Sequence, residues 1–201
     1  MNRNTMYEKT STAGYQDRAD TVRLLTAAFS ADPLIRWLFP SESSRQRFLP
    51  DYFSAIFDHP KATAYLGGER VAASIWLTLR PGESPFPERD AESADLQLPS
   101  STRLLSLGEE LAQRHPTGHA HQYLACLGVS PYAQGTGIGS ALLRHGGART
   151  DALGIGTYLE ASSARSRALY LRHGFADLGP PIELDHDGPT LWPMWRAPHT
   201  P

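Results

Sequence analysis

The sequence is short of several things that would direct its chemistry. It has one cysteine, Cys126, in 201 residues, which excludes an internal disulfide framework and a CxxC metal site. Lys9 and Lys61 are its only lysines, and arginine supplies the rest of the positive charge. The formal net charge is −2, so no basic field invites nucleic acid and no charged tail stands out. No apolar run approaches the ~20 residues of a membrane span. The stretch MNRNTMYEKTSTAGYQDRADTV lacks an apolar core followed by a cleavage site. No repeat recurs at solenoid spacing. These absences lead to the expectation of a cytoplasmic protein without nucleic-acid or membrane partners.

What is present is ordinary for a globular chain: 40% hydrophobic and 20% charged residues, in a length suited to one domain. YQDRADTVRLLTAAFSADP predicts a helix capped by Asp20 or Thr21 and ended by Pro33, with Val22, Leu25, Ala28 and Phe29 at helical spacing. LIRWLFP reads as a short aromatic helix. SESSRQRFLPDYFSAIFDHP reads as another, kinked or restarted at Pro50. TAYLGGERVAASIWLTLRPG predicts a hairpin in which Val71, Ala73, Ile75, Leu77 and Leu79 share one face. Residues 80–98 read as an irregular loop, and TMYEK as a possible short strand.

STRLLSLGEELAQRH predicts a helix with Ser101 or Thr102 near its cap. HQYLACLGVS is an apolar run of the kind buried on both faces. GIGSALLRHGGARTDALG predicts a helix weakened by Gly146 and Gly147. GTYLEAS predicts a strand, SARSRALYLRHG a helix ended by Gly174, and FADLG and PTLWPMWRA two closing strands. Hairpins mixed with strand–helix–strand units imply an α/β fold with a mixed sheet.

The most informative stretch is SPYAQGTGIGSALL, Ser130 to Leu143, with glycine at 135, 137 and 139. It follows an apolar strand and opens a helix. A helix start leaves backbone N–H groups unpaired at the positive end of the dipole. Bare glycines let a phosphate approach those groups. A P-loop ends in Gly-Lys-Ser/Thr, and Ile138-Gly139-Ser140 has no lysine. The dinucleotide fingerprint has GxGxxG spacing rather than the GxGxG found here, although Glu160 nearly fits its acidic residue.

The run Gln134-Gly135-Thr136-Gly137-Ile138-Gly139 resembles the pyrophosphate loop of the GCN5-related N-acetyltransferase (GNAT) superfamily, whose members bind acetyl-coenzyme A. LGVSP, Leu127 to Pro131, resembles the family's strand 4 signature, and ALYLRHGF resembles its closing A-x-Y-x-x-x-GF. YLEAS stands where strand 5 belongs, and the hairpin over 62–79 matches strands 2 and 3. YLACLGVSPYAQGTGIGSALL, YLEASSARSRALYLRHGF and GPTLWPMWRAP together resemble the puromycin N-acetyltransferase group. The likeness is dense from Tyr123 to Phe175 and thin between Gly82 and His121.

The resemblance implies the GNAT fold: α/β, with a mixed, mostly antiparallel sheet splayed at strands 4 and 5 and flanked by helices. It implies a single acyltransferase domain over 1–201, with acceptor-side elements at 17–58 and 99–115 and a coenzyme A core at 121–178. It implies direct acetyl transfer, within a ternary complex, from acetyl-CoA to a small-molecule amine such as an antibiotic or other secondary metabolite, by a monomer or homodimer. Another acyl donor, such as aminoacyl-tRNA, and a non-catalytic coenzyme sensor are the alternatives.

On this resemblance Leu127, Gly128 and Val129 hold the pantetheine arm, and Gln134, Gly135, Thr136, Gly137, Ile138, Gly139 and Ser140 hold the pyrophosphate. Tyr170 stands at the position of the general acid. An asparagine frequent in the family is replaced in SSARSRA, where Ser163 or Ser166 can take its place. Glu160 is the candidate base, directly or through water; alternatively it is a structural carboxylate bonded to Ser162–Arg165. Tyr123 is a second polar candidate facing the acceptor. Phe29, Asp32, Trp37 and Phe39 form an aromatic group with one carboxylate, suited to an aromatic or cationic amine or to core packing. HPTGHAH, with His115, His119 and His121, lacks ligand geometry and reads as a loop, so no metal is expected. Cys126 reads as an inert core thiol and LDHDG as a turn.

Overall fold

A computed structural model describes residues 9–85, 101–185 and 187–199. The first described strand, β1 (Thr10–Thr12), pairs antiparallel with β2 (Ala62–Gly67). Of the strand expected in TMYEK, all but Lys9 lies outside the described residues, as does most of the expected loop at 80–98. β2 and β3 (Ala72–Leu79) form the expected hairpin. Its turn holds Gly68, Glu69 and Arg70 all at positive φ, a conformation that disfavours the two non-glycine residues. The Arg70 guanidinium offsets this by pairing with Asp17 and, at 3.0 Å, with Asp20.

Helix α1 (Arg18–Phe29) begins earlier than its sequence suggests. Neither Asp20 nor Thr21 caps it. Asp17 closes the preceding 3-10 turn instead, accepting the Gly14 N–H at 2.9 Å, and the Thr21 hydroxyl bonds back to the Asp17 carbonyl. Pro33 does not terminate α1 but opens α2 (Pro33–Leu38), where its missing N–H costs nothing. α3 (Glu42–Phe57) runs through Pro50 as one helix rather than restarting there. Leu49 and Phe53, both buried, anchor it across the proline.

β3 lies mid-sheet and is apolar on both faces. Ala73, Ile75, Leu77 and Leu79 join the core under α1, α2, α3 and α4 (Ser101–Arg114). Ala72 and Trp76 join a second core under α5 (Ile138–Ala152) and α6 (Ala164–Arg172). Val71, expected with the first set, packs into the second. Gly146 also differs from expectation. It is less a weak point of α5 than a seat for Trp76, because a Cβ there would lie 2.2 Å from the indole.

β4 (His121–Val129) pairs antiparallel with β3 and parallel with β5 (Gly156–Ala161). The sheet closes through β8 (Thr190–Arg196), which β5, β6 (Ala176–Asp177) and β7 (Ile182–Glu183) all meet antiparallel. The order is β1-β2-β3-β4-β5-β8-β6. This is the mixed, mostly antiparallel sheet expected, with its one parallel contact at its centre. Among the described residues no helix is long and apolar enough to cross a membrane.

Candidate active site

The parallel pairing of β4 and β5 covers only His121↔Gly156, Gln122↔Thr157 and Tyr123↔Tyr158. β4 continues to Val129 and β5 to Ala161, but the ladder ends at the two tyrosines. A parallel pair usually continues while both strands are extended, so the break opens the sheet between Leu124 and Val129. On its other side β4 carries an extra residue. Ile75 faces Cys126 while Trp76 faces Leu124, which leaves Ala125 as a bulge. A bulge bends its strand and sharpens local twist, turning β4 away from β5. The resulting cleft has a volume of about 650 Å³.

At its mouth lies the glycine turn. Gly135 and Gly137 have φ +80 and +89, and a Cβ on either would touch nothing within 4 Å. They serve backbone conformation and open approach. Gly139 serves packing, with a Cβ position 3.4 Å from Val129. The turn is braced from within: the Thr136 hydroxyl donates to the Ala133 carbonyl at 2.6 Å, and the Gln134 amide to the Val129 carbonyl at 3.3 Å. Gly137 is the N-cap of α5, no side chain caps that helix, and its first residues, Ile138 to Ser140, line the cleft.

Tyr170, on α6, lines the cleft and is buried against Phe175 at 5.7 Å. Burial first, then the neighbouring Cys126 and Asp32, raises its pKa. Cys126, on β4, also lines the cleft and has its thiol pushed up to about 12 by burial. Glu160 also lines the cleft. Its Oε2 accepts the Tyr123 hydroxyl at 2.9 Å. The bond to Ser162–Arg165 that a structural carboxylate would make is absent from the described contacts. Burial raises the Glu160 pKa to about 7 against the opposing pull of Tyr123 and Tyr158.

Asp32 occupies the bond at Ser162 instead. Its Oδ2 accepts the Ser162 hydroxyl at 2.6 Å, and its Oδ1 accepts the N–H groups of Leu34 and Ile35. It lines the cleft, yet its carboxylate is committed to capping α2 and tying that helix to the end of β5. Burial raises its pKa. Phe29 lines the cleft and meets Phe53 at 5.3 Å. The aromatic group divides here. Trp37 lies in the core beneath the Arg103 guanidinium, 5.2 Å from its ring centre, outside the cleft lining, and Phe39 stacks on Phe48. Ser163 and Ser166 line the cleft but cap α6 reciprocally, each hydroxyl accepting the other's N–H at 3.1 Å.

Two cleft groups, and one tyrosine near the cleft, escape a sequence reading. Arg165 and Arg172 line it on one face of α6, and Arg165 reaches Gln134 at 3.4 Å. Their spacing of seven is the available signal. Tyr52 of α3 stays half exposed, while its hydroxyl feels burial and then Cys126, Glu160 and Asp32, all of which raise its pKa. Nothing local marks it, because α3 comes near these groups only through tertiary packing. No group of three or more metal-ligating side chains occurs among the described residues.

A sequence profile of the acetyltransferase (GNAT) domain matches residues 107–177. A Corynebacterium glutamicum protein described as histone acetyltransferase HPA2 and related acetyltransferase is 31% identical, with a TM-score of 0.70 over 96% of this chain and 97% of that one. The chain belongs to the GNAT acetyltransferase family. Arylalkylamine N-acetyltransferase 2 of Aedes aegypti shares the fold at 13% identity, with a TM-score of 0.70 over 95% of this chain and 99% of that one. An agmatine N-acetyltransferase shares it at 16% identity, with a TM-score of 0.62 over 94% and 98%. This GNAT protein is therefore an N-acetyltransferase, and GNAT acetyltransferases use acetyl-CoA as cosubstrate. Its glycine turn, splayed strands and Tyr170 all fall in or beside the matched segment.

Proposed function

We propose that this protein transfers the acetyl group of acetyl-CoA directly to the amine of a small molecule, an antibiotic or other secondary metabolite, within a ternary complex. The observation that carries this is the coincidence, in one cleft, of the uncapped glycine turn, the unpaired edge of β4, a carboxyl poised near neutrality and a buried phenol.

In this reading the N–H groups from Gly135 to Ser140 hold the pyrophosphate, with Arg165 beside them. The edge of β4 from Leu127 to Val129 holds the pantetheine as an added strand does. Ser163 and Ser166 stay with their helix cap and shape the wall. Glu160 takes the ammonium proton, and Tyr123 keeps its carboxylate aimed. The amine then forms its bond to the thioester carbonyl carbon, the C–S bond breaks, Tyr170 gives its proton to sulfur, and the second N–H hydrogen that the nitrogen loses on becoming an amide restores the phenol. A buried phenol is a weak acid, but burial in the same cleft pushes the Cys126 thiol up to about 12. Burial that raises a phenol also raises a coenzyme thiol meeting the same surroundings, so acid and leaving group shift in the same direction. Phe29 and the Asp32 region face the acceptor. One domain over 1–201 in the cytoplasm, as monomer or homodimer, completes the proposal.

Thiol release from acetyl-CoA across a panel of amines that includes puromycin tests it. At least one amine is expected to turn over, and Tyr170→Phe to lower kcat about 10²-fold or more at every pH. Wild-type turnover by Tyr170→Phe would remove the acid role. A panel with no thiol release and no coenzyme-induced stabilisation would sink the enzyme reading.

A further inference from the structure

Another cavity, of about 320 Å³, lies toward the far end of α5 and shares no lining residue with the cleft. Ile138 to Ser140 of α5 line the cleft, whereas Arg144, Gly147 and Asp151 of the same helix line this cavity. Gly139 and Gly147 stand about 12 Å apart along the helix axis, so the two openings are separate. Arg196, at the end of β8, and His173, just past α6, stand across from α5. Trp76 of β3 and Phe175 add apolar surface.

The charges around this cavity do not cancel. Two guanidiniums, Arg144 and Arg196, face one carboxylate, Asp151. That carboxylate is already committed: Oδ2 accepts from Arg196 at 2.6 Å and Oδ1 accepts the His199 N–H at 2.7 Å. Arg196 also reaches the Thr150 hydroxyl at 3.3 Å. Among the described residues the Arg144 guanidinium has no hydrogen bond or ion pair, and the His173 ring has no hydrogen bond. Burial first, then Arg144, Arg172 and Arg196, lowers the His173 pKa. With His173 neutral, one positive charge is left over. Cations at the end of α6 oppose that helix's negative pole, which accounts for Arg172 and His173 but not for Arg144, in the middle of α5. Gly147 is likewise not required by packing. A Cβ at Gly146 would strike Trp76, but one at Gly147 would lie 3.5 Å from Arg196 Cζ, an ordinary contact. Alanine would fit there and favour the helix, so the glycine leaves open space beside the guanidinium.

We propose that this cavity binds a small organic monocarboxylate with an apolar body. Arg144 holds the carboxylate through paired N–H bonds, the geometry a guanidinium matches best, with Arg196 and the His173 ring beside it. The apolar body lies along Trp76 and Phe175, in the space that Gly147 leaves. A volume of about 320 Å³ suits a molecule of this size. The single unmatched charge selects a monoanion. A phosphate brings close to two negative charges and meets the Asp151 carboxylate as well. The site stands apart from the acetyl-transfer cleft and takes no part in its chemistry.

The test is a titration of the protein with benzoate and with 3-methylbutanoate, in saturating coenzyme A so that the cleft is occupied. Calorimetry measures binding, and proton NMR follows the ring of His173, assigned by its loss in His173→Gln. At least one of the two carboxylates is expected to bind once per chain with a Kd below about 1 mM. It is also expected to raise the His173 pKa, because an added carboxylate offsets the guanidiniums that lower it. Arg144→Gln, which breaks no described bond, is expected to weaken binding about tenfold or more. Inorganic phosphate is expected to bind more weakly than the carboxylate. No saturable binding of either carboxylate overturns the site. Binding that leaves His173 unmoved, or that persists unchanged in Arg144→Gln, overturns its location. Phosphate binding as tight as the carboxylate overturns the ligand class.

Discussion

At Glu160 two demands oppose each other. A base must be ionised to accept a proton, and a buried carboxyl resists ionisation. The balance reached, a pKa of about 7, leaves it half ionised where amines begin to lose their protons. Turnover is expected to rise with pH through about 7 on this account, and Glu160→Gln to remove that limb of the profile. The same shift bears on stability with a definite sign. The folded pKa lies above the unfolded value, so the folded state holds the extra proton. Its contribution is complete below about pH 4.5 and is lost as pH rises through about 7. Glu160→Gln is therefore expected to raise Tm at pH 8 relative to wild type, and less so at pH 5. Melting curves at the two pH values check it; equal shifts would contradict a buried ionising carboxyl. Glu160 and Tyr170 were legible as candidates because their positions follow a motif. The commitment of Asp32 to Ser162, 130 residues away, was not, and the choice between core and cleft for Trp37 stayed open, because local sequence carries no sign of a distant partner.

Glycines separate binding from packing at the scale of the elements. Gly135 stands at φ +80 in open space, while Gly146 faces Trp76 across 2.2 Å of Cβ clearance. Gly146→Ala is expected to cost about 1–3 kcal/mol through overpacking with little change in the KM for acetyl-CoA. Gly135→Ala is expected to cost about 1–2 kcal/mol in backbone strain and also to raise that KM, because it reshapes the turn. Thermal melts and initial rates on both variants decide. A Gly135→Ala enzyme with unchanged KM would detach the turn from donor binding. The helices, the hairpin and β4 and β5 were readable from periodicity and turn residues. The continuity of α3 through Pro50 was not, because the buried Leu49 and Phe53 override a local breaking signal.

The whole molecule is a sheet held open at its centre, with one core under α1 to α4 and another under α5 and α6. A ligand spanning that opening bridges both halves and binds only the folded state. Acetyl-CoA at 100-fold its Kd is expected to add about 2.7 kcal/mol, or roughly 5–11 °C in Tm for a chain of this size. Differential scanning fluorimetry with acetyl-CoA, and with a dinucleotide as comparison, measures it. Stabilisation by the dinucleotide alone would reassign the glycine turn.

The order of residues by itself pointed to the family and supplied the candidates for the donor side. Those features are local: glycines at alternate positions, an apolar strand before them, and a tyrosine one helical turn before Gly174. Each acts through backbone conformation or short-range spacing, which sequence encodes directly. Only the tertiary structure decided what stands around Glu160. The break after Tyr123↔Tyr158, the Ala125 bulge and the Asp32–Ser162 bond all join residues through space. Burial, not residue type, then sets the protonation of Glu160 and Tyr170. Burial belongs to the folded chain as a whole, because it depends on every element packed against a group rather than on its neighbours in sequence.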